Sequence, residues 1–429
     1  MNQDDVPEQW VVERIVPGGE GFVRLPSGFA AFVPGGLPGD RIRALRVERR
    51  KGYLRAVEWE LLEAGPERVT PPCRFAHRCG GCDFMALTAL GQQRAKVGML
   101  REAMSRTGGF ENLPSLPEVR SAGPALGYRT RLRLHIDARG KIGLFARGSH
   151  ELIELDECIV CHERVNAELG VLRELSETEP GSFAQFSEVE IRVGEAEDRA
   201  VLFFVPRSLQ RRISSAASAL LDRLRARFRV SIAGSHERSE LSRMTLPGGL
   251  ELRTPAASFA QVNWSVNRVL VQRVVELAAL HEVQSFIELY AGAGNFTLPL
   301  LVGGRRGTAI EGNAAAAAAL RDSARRMRYE LVVLTGDVRE RFAELRRSAQ
   351  SADLVFLDPP RAGAKGVLAE IIELGPAHVG FCSCDPVTLA RDLRTLSAAG
   401  YALRVFEGFD MFPQTHHVEA LAWLTRASG

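Results

Sequence analysis

The stretch QSFIELYAGAGNFTLPL (284–300) limits this chain's fold more than any other. An apolar run ends at a glycine-bearing turn and passes straight into a helix-like run, the strand–turn–helix order of a parallel-sheet unit. Gly292 and Gly294 permit a tight turn and let a ligand approach the backbone closely. From about residue 262 the same texture repeats. VNRVLVQRVVELAAL has apolar residues at helical spacing, and GTAIEGN, LVVLTGDV, ADLVFLDPPRAG and AHVGFCSCDP each read as a strand ending in polar residues. The tract AAAAAA (314–319) suits a helix interior. A doubly wound, mostly parallel α/β sheet is therefore expected over 256–429.

The strand ends carry the chemistry. Glu311 closes one strand and is placed to take ribose hydroxyls, while Asp337 closes the next and can meet an adenine edge. With the glycine turn they form the pattern of a class I S-adenosylmethionine (SAM) site. Asp358 stands before Pro359 and Pro360, which fix the loop and hold the carboxylate at the sheet edge. Taken alone, D-P-P also fits methylation of an exocyclic base nitrogen. The following strand delivers Cys382 and Cys384 just before Asp385-Pro386 and a helix. At that helix start, the dipole is expected to lower the pKa of Cys384 and raise its reactivity. Cys382, one step deeper, reads as packing. Glu419 opens the last strand near the same edge. A thiolate, a carboxylate and a methyl donor suit carbon-5 of uracil, which is too poor a nucleophile to be methylated directly. Addition of Cys384 to carbon-6 activates it, and Glu419 then removes the carbon-5 proton. The base must first leave its stack.

The remainder of the chain reads differently. Residues 9–62 hold short strands with Gly/Pro turns, as in a small barrel of oligonucleotide-binding type. Residues 66–95 hold a cysteine cluster, a helix is expected around 88–106, and residues 115–250 look like a mixed antiparallel region. A net charge of +3 does not itself require a polyanionic partner, but RIRALRVERRKGYLR (41–55) carries seven basic residues against Glu48 alone. YRTRLRLHIDARGKIGLFAR (128–147) carries six against Asp137, and only four residues in the chain are lysine. Arginine on strands suits phosphate contacts. Seven cysteines without an apolar leader in MNQDDVPEQW point to a reducing compartment, so a cytoplasmic location is expected. No apolar run reaches 18 residues, which argues against a membrane partner. Cys73, Cys79 and Cys82 need a fourth ligand, which Cys158 or Cys161 offers; spacing does not choose between zinc and an iron–sulfur cluster.

SFAQVN (258–263), ELYAGAGNF, DPPRAG, SCDP and DMFPQTHHVE together resemble the motifs of the RNA 5-methyluridine methyltransferases, over nearly the whole chain. The resemblance implies a class I SAM-dependent domain (256–429), a TRAM-like RNA-binding barrel (1–65) and a central domain (66–255). By position it implies Cys384 as nucleophile, Glu419 as base, and Gln261, Tyr290, Asn295, Glu311, Asp337 and Asp358 as the SAM-site residues. It also implies a [4Fe-4S] cluster on Cys73, Cys79, Cys82 and Cys158. The expected enzyme is a monomer that methylates 23S ribosomal RNA. A transfer-RNA uridine, a base nitrogen and a non-catalytic RNA-binding relative are the alternatives. Three positions depart from the family's usual residues: Asp385 replaces Asn, Glu288 replaces Asp, and Ala291 replaces Cys. Asp385 is expected to be the most damaging, because a carboxylate beside the nucleophile raises a thiol pKa.

Overall fold

The computed structural model describes residues 8–115, 118–195, 199–210, 212–235, 237–347 and 351–427; most of the stretch MNQDDVPEQW lies outside them. Eight strands form the C-terminal sheet in the order Leu331–Thr335, Arg306–Glu311, Ser285–Leu289, Leu354–Leu357, His378–Ser383, Glu419–Arg426, Tyr401–Phe409, Val119–Arg120. The first five run parallel, and Glu419–Arg426 is antiparallel to both neighbours. Leu354–Leu357 is buried throughout, as a strand covered on both faces must be. Alternate residues enter different cores: Ile287 and Val355 join Phe381 and Leu389 on one face, while Phe286 and Phe356 join Trp423 on the other. The chain winds outward from Ser285–Leu289 to Leu331–Thr335, then crosses back to Leu354–Leu357. At such a reversal, open α/β sheets bind their ligands beyond the strands' C-terminal ends.

A division of the chain at 255 separates pieces that pack together. The strand Val119–Arg120 is the last of the C-terminal sheet, and the helix Ala89–Ala103 and the π-helical turn Met104–Gly108 pack against that sheet. Leu100, Ala103, Met104 and Val119 share a core with Phe381 and Leu389.

The N-terminal sheet has six strands, two of them the long hairpin Arg41–Arg50 and Tyr53–Glu63, around a core that includes Trp10, Val33 and Ile42. Its basic run faces acids on the neighbouring strand: Arg41 pairs with Glu63, Arg43 with Glu60 and Arg46 with Glu58. Much of the positive stripe read at 41–55 is thus balanced locally. The central sheet has the order Leu152–Ile153, Ile142–Phe145, Arg131–Ile136, Phe186–Arg192, Val201–Pro206, Arg229–Ile232. Helices Glu163–Thr178 and Ser215–Arg227 share its core. No helix among the described residues is long and apolar enough to cross a membrane.

Candidate active site

The glycine turn is shaped by backbone that few residues adopt. Tyr290, Gly292 and Gly294 have φ of 64°, 56° and 101°. A Cβ on Gly294 would lie 2.5 Å from Leu320 Cδ1, so the close approach of turn and helix depends on glycine there. Glu311 ties the turn to the next strand: its Oε2 accepts from Gly292 N (2.7 Å) and its Oε1 from Asn313 N (2.6 Å). Asn295 and Asn267 exchange two amide hydrogen bonds of 2.8 and 3.0 Å. Asp337 Oδ1 accepts from Arg339 N (3.0 Å) and Glu340 N (3.2 Å), which starts the helix after its strand. Gln261 sits in the loop before the Trp264–Leu280 helix and lines a recess with Thr130, Arg131 and Trp264.

Three carboxylates meet at these strand ends. Burial pushes Glu288 up to about 8, with Asp358 and Glu311 adding repulsion, while Thr297 Oγ1 donates to it and opposes the shift. Burial also raises Asp358 to about 7. An acid whose folded pKa is raised contributes stability fully below its unfolded value, and loses it as pH climbs through the folded value. Glu288→Gln should therefore remove a loss of stability between about pH 4.5 and pH 8, read from unfolding midpoints across that window.

Cys384 and Glu419 lie beside this group. Glu419 is 4% exposed, and burial followed by Asp358 holds its carboxyl far above the usual range. Burial and then Glu419 push the Cys384 thiol up to about 11. This corrects the expectation of a lowered pKa: desolvation and a carboxylate distant in sequence outweigh the helix dipole. Arg361 works in the opposite direction, by its charge and by a hydrogen bond to the thiol. Arg361 was not among the expected residues, although its place in DPPRAG, three after Asp358, was the available signal. His417, lowered to about 4 chiefly by burial, stays neutral and accepts at Nε2 from Arg361 Nη2 (3.2 Å). Arg361→Gln should slow thiol chemistry about tenfold at pH 7, roughly the worth of one charge-assisted bond. Loss of the cation raises the thiol pKa further, so the deficit should shrink as pH rises, measured as the rate of Cys384 alkylation.

Cys382 is 1% exposed and packed in the apolar core, as expected. Asp385 does not act as the expected source of repulsion. Its Oδ1 accepts from Thr388 N (2.8 Å), capping the helix Pro386–Ala398. Asn caps equally well, so Asp385→Asn should change helix stability by only a few tenths of a kcal/mol, whereas Asp385→Ala should cost about 1 kcal/mol in denaturant unfolding.

The loop leading to Glu419 is held by residues distant from it in sequence. Lys96 is fully buried and donates to Asp410 Oδ1 and to the Phe412 carbonyl (3.0 Å). Gln92 and Gln414 are joined by two bonds of 2.9 and 3.0 Å, Tyr128 OH donates to Pro413 O (3.0 Å), and Asp83 receives both His416 N and the His416 ring. Lys96→Met leaves Asp410 buried without its cation and should cost about 3–5 kcal/mol, checked by denaturant unfolding, with Lys96→Met/Asp410→Leu restoring most of it.

Asp83 follows directly on the cysteine-rich loop. Burial raises the Cys79 and Cys82 thiols, and Cys158 and Cys73 add to both shifts. Cys73, Cys82 and Cys158 border one small apolar cluster, whereas Cys161 is 2% exposed in the central core. Among the described residues, no group of three or more Cys, His, Asp or Glu is gathered to hold a metal ion.

The chain resembles known proteins along nearly its whole length. The family model described as tRNA (Uracil-5-)-methyltransferase matches residues 118–427. The chain is 33% identical to the 23S rRNA (uracil(1939)-C(5))-methyltransferase RlmD of Acidithiobacillus ferrooxidans, covering 98% of each chain. It is 33% identical to the RlmD of Halomonas elongata, covering 96% of this chain and 88% of that one. An uncharacterized RNA methyltransferase of Gloeobacter violaceus is 32% identical over 97% and 96%. In fold, the chain resembles the tRNA (uracil-54, C5)-methyltransferase of Pyrococcus abyssi, solved with S-adenosyl-L-homocysteine, with a TM-score of 0.73 and 24% identity over 97% of this chain and 100% of that one. The C-terminal sheet thus has the class I methyltransferase architecture, and the chain belongs to the tRNA (uracil-5-)-methyltransferase family.

Proposed function

We propose that this chain methylates carbon-5 of a uridine in 23S ribosomal RNA, using SAM, and acts as a cytoplasmic monomer. The observation that carries the reading is the convergence of Cys384, Glu419, Asp358 and Arg361 at one edge of the sheet. Full-length similarity to RlmD proteins favours ribosomal RNA over a transfer-RNA substrate.

SAM supplies an electrophilic methyl group on a positively charged sulfur. Asp358 and Glu311 both add to the raised pKa of Glu288, and a cation held beside these carboxyls would relieve that repulsion. Glu311 would take the ribose, Asp337 the adenine, and Tyr290, Asn295 and Gln261 would complete the binding site. The free protein keeps Cys384 as a thiol, so deprotonation is part of the work, and Arg361 favours it. The thiolate adds to carbon-6 of uracil and the double-bond electrons move toward carbon-5 and the carbonyl at position 4. Carbon-5 would take the methyl group as its bond to the sulfonium breaks, the bonding pair staying on sulfur and leaving a neutral thioether. Glu419 removes the carbon-5 proton, the electron pair re-forms the carbon-5 to carbon-6 bond, and Cys384 leaves as thiolate. Incubation with transcribed 23S RNA and labelled SAM tests the assignment: one methylated uridine by mass mapping supports it, and label on a base nitrogen or on transfer RNA alone contradicts it.

We infer further that Cys73, Cys79, Cys82 and Cys158 hold a [4Fe-4S] cluster. Cys73 and Cys158 both act on the Cys79 and Cys82 thiols, which suits a shared anionic group, and the half-buried Cys158 fits better than the core-packed Cys161. Uridine methylation needs no electron transfer, so the cluster would be structural, bracing the loop whose Asp83 holds His416. Anaerobically purified protein should contain about four irons per chain, the cluster stoichiometry; stoichiometric zinc without iron would refute this.

A further inference from the structure

Three aromatic rings stand together on the solvent side of the central sheet, where the core does not need them. His135 and Phe145 stack face to face with centroids 3.7 Å apart and planes 8° from parallel. His150 meets Phe145 edge-on at 5.1 Å. Strand alternation explains the placement: Leu132, Leu134 and Ile136 point into the central core, leaving Arg131, Arg133 and His135 on the outer face. Phe145 and these arginines line a cleft of about 430 Å³, whose further wall is Phe412. That size falls in the range of small-ligand sites, about 300–1,000 Å³.

The cleft is cationic as well as aromatic. Arg129, Arg131 and Arg133 line it against one carboxylate, Glu190. Arg129 Nε is buried with no hydrogen-bond partner. Glu190 is shared among Arg131, Arg133 and Arg192, and Glu188 meets Arg133 and His135, so the four arginines still outnumber the two carboxylates. The cleft also adjoins the reacting groups: Phe412 packs edge-to-face on His417 at 5.8 Å, and His417 holds Arg361, which holds Cys384.

Arginines that track phosphates beside rings that stack on bases are the physical pattern of single-stranded nucleic-acid binding. An RNA that has rotated a uridine out of its stack leaves the neighbouring base without a partner on one side. We propose that this cleft is a second nucleotide site, which takes an unpaired base next to the target uridine, stacked at the Phe145–His135 pair, with its phosphates on Arg129, Arg131 and Arg133. The site rests on the RNA reading of the active centre and adds to it: it selects RNA that is already single-stranded around the target.

The test uses full-length protein and a short single-stranded RNA with one uridine flanked by 2-aminopurine, whose fluorescence is quenched by stacking. Binding is measured without SAM, on Cys384→Ala protein, so that no turnover is needed. The quench should be present, and Phe145→Leu should abolish it and raise the Kd about five- to hundredfold, the range of one lost base stack. Phe145→Tyr should restore both. With active protein, the Phe145→Leu loss should fall on KM rather than kcat. A folded Phe145→Leu protein that quenches and binds within twofold of its parent overturns the site, as does absence of RNA binding. Phe145-dependent quenching by a protein that methylates no uridine would instead overturn the functional reading and leave this site standing.

Discussion

Cys384→Ala should abolish both methyl transfer and covalent attachment to RNA, with activity falling roughly 10⁶-fold, the scale on which removal of a covalent nucleophile acts in other enzymes. Carbon-5 of uracil gains its reactivity only from addition at carbon-6, and among the described residues only Cys382 lies as near in sequence. That second thiol is enclosed in the core with Phe356 and Trp423, and Asp358, Glu419 and Glu288 push its pKa upward after burial has already done so. It offers no substitute nucleophile. Cys382→Ala should keep the adduct and lose only folding stability, on the order of 1 kcal/mol. Methylation assays on the two variants, with RNA binding measured in parallel, separate a lost nucleophile from a lost fold.

Glu419→Gln should arrest the reaction after methyl transfer. The amide keeps the shape of the carboxylate and removes its basicity, so addition and methylation proceed while the carbon-5 proton stays in place. Turnover should fall about 10²- to 10⁴-fold, the usual share of general-base catalysis. A methylated protein–RNA adduct should accumulate with ordinary uridine RNA, visible by denaturing electrophoresis and intact mass. Equal loss of turnover without an adduct would mean that Glu419 acts before addition. The carboxyl's raised pKa gives the prediction a pH signature. A base with an elevated pKa is protonated at low pH, so wild-type turnover should climb with pH, whereas the small residual rate of Glu419→Gln should not follow that group.

Local patterns carried the catalytic sheet. Glu311, Asp337 and Asp358 were readable because each closes an apolar run at a turn, and parallel strands bring such ends to one edge by construction. Cys384 was readable for the same reason, but its electrostatics were not. The dipole argument used neighbours in sequence, while the groups that set the thiol's pKa are Glu419 and Arg361, brought there by the fold. Asp385 shows the converse error. Its position beside Cys384 suggested repulsion, yet its side chain turns to the helix it caps. The ties between Lys96 and Asp410 and between Gln92 and Gln414 join residues more than 300 positions apart, and no periodicity or turn signal announces them. The basic run at 41–55 was misleading for a related reason: its balancing acids, Glu58, Glu60 and Glu63, lie on the hairpin's second arm and meet the run only when the two strands pair.

The mechanism turns on a covalent bond from Cys384 to carbon-6 of the target base. RNA in which the target carries 5-fluorouracil examines it directly, because Glu419 cannot remove fluorine as it removes a proton, and the reaction stops at the adduct. Mass spectrometry of wild-type protein with that RNA and SAM should find protein, RNA and one added methyl group joined, with the cross-link on the peptide containing Cys384. Active protein that methylates ordinary uridine RNA but forms no adduct with the fluorinated one, or forms it through a residue other than Cys384, would contradict that mechanism.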